Sequence, residues 1–186
     1  MENTVVYKQS RLSIKTQTLA ALAAAGAAVA LPQLVHALGA FSGMGTGLGE
    51  MLLPMHLPVM LAGFLAGPLA GALSGLVAPL VSHMLSGMPL AAMLPFMMVE
   101  LFAYGLCAGL LKRFRLPMLG KVLLTQVVGR ALRAVAILVG FYLLGSKIAP
   151  AVIWTSIAAG FAGIVLQWAV LPLLTKKAER LMTHEG

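Results

Sequence analysis

A chain of 186 residues that is 60% hydrophobic and only 10% charged, with a mean hydropathy of +0.97, has too few polar groups to cover a water-facing surface. Its net charge of +8 rests on thirteen Lys and Arg residues that lie mainly between apolar runs, which argues against a nucleic-acid partner and for a multi-pass membrane protein in contact with lipid. The one cysteine, Cys107, excludes an internal disulfide and sits in an apolar run as a packed thiol.

Residues 1–16 are polar and are expected to form a cytoplasmic amino-terminal segment, followed by an alanine-rich run, Gln17–Ala37, that is long enough to span. A rival reading takes this region as a cleaved secretory signal, with Ala28-Val29-Ala30 as the small-residue site. Residues 38–54 are rich in glycine and carry one acid, Glu50; they are expected to form an extracellular, lid-like loop.

Two shorter runs, Met55–Gly67 and Leu69–Ser86, meet at Gly67-Pro68. Ten of the 37 residues from Leu53 to Pro89 are Gly or Pro, a density that would ruin an isolated helix in water but is tolerated where neighbouring helices satisfy the backbone. The first of these runs covers only about 20 Å of a core about 30 Å thick, so buried irregular chain is expected to complete it and to line a cavity. The remaining runs are Leu90–Leu111, Leu119–Leu144 and Ala149–Leu174, the last with Trp154 and Trp168 placed as interfacial anchors.

The expected fold is therefore all-α: a single six-helix transmembrane bundle. Lys8, Arg11 and Lys15, the 112–121 connection with Lys112, Arg113, Arg115 and Lys121, and the 175–186 tail with Lys176, Lys177 and Arg180 fall on one side. Lys147 alone falls on the other, which places both termini in the cytoplasm of a cell membrane.

Two groups of residues stand out. Counting along the helices puts Glu100 and Arg133 at similar depth, with Arg130 one turn away on the same face. Ionisable groups in a span face the bundle interior, either paired as packing glue or touching a polar ligand; Gln126 lies on the same helix. His36, His56 and His83 come from three different runs to the outer side, where they are interfacial polar residues or the rim of a pocket. With Met44, Met51, Met55, Met84 and Met88 nearby they also permit ligation of a metal or haem, although no metal or other cofactor is assigned. Alanines four apart, Ala20 and Ala24 or Ala21 and Ala25, form a small-residue face suited to close helix approach. The sequence contains no H-E-x-x-H, G-x-S-x-G or P-loop motif, so enzymatic activity has no support and any ATP hydrolysis belongs to a partner.

The alanine-rich first helix, the long loop after it, LPMHLPVMLAGFLAGP at Leu53–Pro68, SGMP at Ser86–Pro89 and ELFAYG at Glu100–Gly105 resemble the substrate-binding S component of energy-coupling factor (ECF) vitamin transporters. The resemblance implies six membrane helices and a pocket near the outer side for a vitamin or related micronutrient. It also implies a transmembrane coupling subunit and two ATPases as partners, with the coupling subunit contacted through a small-residue face that maps best to Ala20 and Ala24, although Ala21 and Ala25 fit equally. Expected substrate contacts are His36, His56, His83, Glu100, Gln126, Arg130 and Arg133. A carboxylate-bearing vitamin would suit the arginines; a metal, haem or corrinoid would suit the histidines. A structural subunit of a larger membrane complex and a secondary transporter working alone are the competing classes.

Overall fold

The computed structural model describes residues 13–45 and 47–184, so Lys8 and Arg11 of the amino-terminal segment and the last two residues of the tail lie outside the described residues. The described chain is all-helical: α1 (Ile14–Phe41), α2 (Gly47–Leu52), α3 (His56–Ala66), α4 (Pro68–Ser86), α5 (Leu94–Leu111), α6 (Met118–Leu143), α7 (Val152–Ala159) and α8 (Phe161–His184). Five stretches are long and apolar enough to cross a membrane, and the bent pair α7–α8 makes a sixth. The chain is a polytopic helical membrane bundle.

Three boundaries differ from the sequence reading. The first run extends at both ends into a 28-residue helix, capped by Ser13, whose Oγ accepts from the Thr16 amide at 3.2 Å. The glycine-rich 38–54 segment contains α2, which joins α3 through a corner at Leu53–Met55, so that α2 and α3 together supply the second span. The short run is thus completed by a second helix rather than by a wholly irregular loop. The sixth run is bent by 54° at Gly160, where the Leu53 side chain packs against the glycine.

The glycines of the Leu53–Pro89 stretch are explained chiefly by packing. Gly71 and Gly75 of α4 face Gly105 and Leu101 of α5 so closely that a Cβ on either α4 glycine would strike the α5 backbone. Small residues let membrane helices approach to backbone contact, where dispersion and weak polar contacts replace a hydrophobic driving force. At the turn into α4, Gly67 takes φ +108°, a region closed to most side chains, and Pro68 supplies the first helical residue.

Helix α5 is the hub, packed against α3, α4 and α6, while α1 covers α3 and α4. Met60, Phe64, Leu101, Tyr104, Val122 and Leu171 fill the centre, and large apolar side chains such as Leu22, Val127, Leu132 and Leu173 point outward, as a lipid-facing surface requires. At one end Lys112 donates to the Leu65 carbonyl at 2.6 Å, closing the carboxyl end of α3. The basic connection after α5 therefore lies at the opposite end of α3 from His56.

Candidate functional site

Away from the basic connection, a cavity of about 430 Å³ opens between α1, the α2–α3 corner, the 88–93 connection, α5, α6 and α7. Its wall is mostly apolar and includes Met55, Met88, Met93 and Met97, with Leu53 and Val152. Its polar groups are few: His36, Glu50, His56, Ser82, Glu100, Arg133, Thr155 and Ser156. A concave apolar wall with a small number of placed polar groups is the usual form of a small-molecule site.

Helix geometry builds the floor. Glu100 sits six residues into α5, about 9 Å below its amino end, and is fully buried. One of its carboxylate oxygens accepts from Arg133 Nη1 of α6 at 2.9 Å, and the other from the Tyr104 hydroxyl, one turn further along α5, at 3.2 Å. Arg130 Nη1 stands 3.8 Å and His56 Nε2 3.7 Å from that second oxygen, close enough for electrostatic attraction but beyond a hydrogen bond. The His56 and Tyr104 rings lie 5.2 Å apart, and the Tyr104 ring rests on Gly129 of α6. Several polar atoms around this one carboxylate are left over: the donors Arg133 Nε and Arg130 Nε and Nη2, and both His56 ring nitrogens, are buried without a hydrogen-bond partner.

Of the residues singled out from the sequence, His36, His56, Glu100 and Arg133 line the cavity. His36 packs on Gly49 of α2, and its Nδ1 is buried without a hydrogen-bond partner. Arg130 lies behind the floor and borders a small void between α6 and α7. His83 is outside the cavity lining and donates through Nδ1 to the Pro89 carbonyl at 2.8 Å, bracing the connection that carries Met88 and Pro89. Gln126 is also outside the lining. Its Nε2 donates to Gln167 Oε1 at 2.9 Å, its Oε1 accepts from Trp168 Nε1 at 2.6 Å, and Gln167 Nε2 continues to the Leu53 carbonyl at 3.4 Å. Trp168 is therefore tied inward to a buried amide, whereas Trp154 is largely exposed.

Tyr104, Gln167 and the α7 hydroxyls Thr155 and Ser156 are not among the residues expected from the sequence. Tyr104 carried a usable signal, since it lies four residues from Glu100 on the same face of α5. Gln167 carried the same signal as Gln126, a lone amide in an apolar run.

On α1, Ala21, Ala25 and Ala28 face inward and are buried, Ala20 and Ala24 are half-buried at the edge of that face, and Ala23, Gly26, Ala27 and Ala30 are exposed. Among the described residues no group of three or more His, Cys, Asp or Glu side chains is arranged to hold a metal ion.

The family model described as ECF transporter, substrate-specific component, matches residues 14–175. No curated protein and no solved structure matches the chain.

Proposed function

The chain belongs to the substrate-specific components of ECF transporters, and we propose that it captures a vitamin or related micronutrient at the extracellular side of a prokaryotic cell membrane. Family membership makes it a transport subunit that works with ECF coupling and ATPase subunits on a small-molecule substrate. In our reading these are one transmembrane coupling subunit and two ATPases, which take the substrate inward. The chain forms one six-helix domain, residues 1–186, with both termini and the 112–121 connection in the cytoplasm and the 38–54 segment outside.

The observation that carries this reading is the position of the cavity. It lies away from the end where Lys112, Arg113, Arg115 and Lys121 cluster, and basic residues favour the cytoplasmic side. His36, His56, Glu100 and Arg133 contact substrate directly, Arg130 acts on it from behind, and His83 and Gln126 hold the wall. The lipid-facing side of α1, with Ala20 and Ala24 at its edge, meets the coupling subunit.

Reconstitution with a coupling subunit and its ATPases provides the test. Uptake of a micronutrient into proteoliposomes that depends on ATP and on this chain is the expected result. A chain that assembles with those partners yet yields no such uptake, and binds no small molecule by native mass spectrometry, is a structural subunit instead.

A further inference from the structure

Resting on that reading, we infer that the occupant of the cavity is an organic monoanion whose single carboxylate lies against Arg133. The charges around the floor do not balance. One carboxylate, Glu100, faces two guanidinium groups at 2.9 and 3.8 Å, so the cluster carries +1 with His56 neutral and +2 with His56 protonated. The other acid on the cavity wall, Glu50, is exposed and belongs to α2 rather than to the floor. A net charge at membrane depth is costly unless a counter-charge meets it, and a monoanion brings the neutral-His56 cluster to zero.

Hydrogen-bonding capacity points the same way. Arg133 borders the cavity, and its Nε is buried without a partner. A guanidinium has five N–H groups in a planar fork suited to a carboxylate, and only one hydrogen bond from Arg133 is spent on Glu100. His56 also borders the cavity, with both ring nitrogens buried and unpartnered, and can offer one N–H to the same anion. Glu100 itself repels a second negative charge and so selects against dianions.

The rest of the wall excludes an inorganic ion. A space of about 430 Å³ is far more than a halide needs, and Met55, Met88, Met93 and Met97 offer it polarizable, adaptable apolar contacts. The ligand therefore has an apolar body against the methionines and one acidic end at the floor. Arg130, outside the cavity, sets the charge of that floor without touching the ligand.

Two measurements test the assignment on the full-length protein. The first is native mass spectrometry of protein purified from cells grown in rich medium, followed by methyl esterification of what is released. The expected occupant gains one methyl group. The second is thermal stabilisation in detergent by matched acid and neutral probes: pantothenate against panthenol, biotin against biotin amide, and nicotinate against nicotinamide. One acid is expected to stabilise and its neutral counterpart to do so about a hundredfold more weakly in affinity.

Arg130→Gln keeps the Glu100–Arg133 pair intact and is expected to fold. It should lower affinity for the acid by about tenfold while leaving affinity for the neutral probe unchanged, a split that a purely structural role would not produce. A recovered occupant without an acidic group, a neutral probe that protects as well as its acid, or sodium chloride reproducing the protection each overturns the monoanion and leaves substrate capture standing. No recovered molecule and no protecting probe counts against both.

Discussion

Two buried polar clusters grow from the same helix, and they differ in whether their hydrogen bonds close. Gln126 and Arg133 lie seven residues apart on α6, two turns along one face. Gln126 enters a chain that runs from Trp168 through Gln126 and Gln167 to the Leu53 carbonyl, with each of those donors matched to an acceptor. Arg133 enters a group around Glu100 in which one carboxylate serves Arg133 and Tyr104 and leaves the remaining buried donors of Arg130, Arg133 and His56 without partners. Buried polar groups normally find partners, so a closed chain is what a structural element looks like, and a surplus of donors beside a cavity is what a binding element looks like.

The sharpest way to break this contrast is to remove the shared acceptor. Glu100→Gln leaves two arginines without their anion, and we expect a loss of about 3–5 kcal/mol in stability, read by thermal denaturation in detergent. A variant as stable as the parent chain would show that the arginines are neutralised elsewhere and that the open cluster is not charge-dominated.

The closed chain should give less. Gln167→Leu orphans the Gln126 amide nitrogen and should cost about 1–3 kcal/mol by the same measurement, while the carboxylate cluster keeps its geometry. Adding Gln126→Leu removes both ends of that bond, so the double variant should cost less than the sum of the two single ones, with a coupling of about 0.5–3 kcal/mol. Strict additivity would mean that the two amides do not act as a unit. Trp168→Phe removes a single donor and should cost about 1 kcal/mol, with substrate affinity unchanged. A clear fall in affinity there would erase the distinction between holding the wall and binding the occupant.

The helical membrane fold could be read from the sequence because it depends on the length and apolarity of runs, which are local properties. The shared depth of Glu100 and Arg133 could be read for the same reason: helices advance by a fixed rise per residue, and the structure brings the pair to 2.9 Å. What escaped depends on contacts between distant segments. Pro54 marks a break after Leu53 in the sequence, but not the φ of +50° that Leu53 takes there, because the chain is held by Gln167 from more than a hundred residues away. The bend at Gly160 has no proline to announce it and coincides with the place where Leu53 packs. Gln126 looks equivalent to the arginines on its helix, and only the approach of α8 brings Gln167 and Trp168 to it as hydrogen-bond partners.

The contact of Gly71 and Gly75 with Gly105 and Leu101 bears on how an occupant could leave. Two backbones that touch leave no room for a conduit between them, and prying them apart would expose helix faces with little side chain to cover the gap. On its α4–α5 side the floor beneath Glu100 is in this sense welded shut. Both α2 and α7 line the cavity yet have no buried residue of their own. Along the α4–α5 seam no passage leads on from the cavity, and the parts of its wall with the least buried anchorage are α2 and α7.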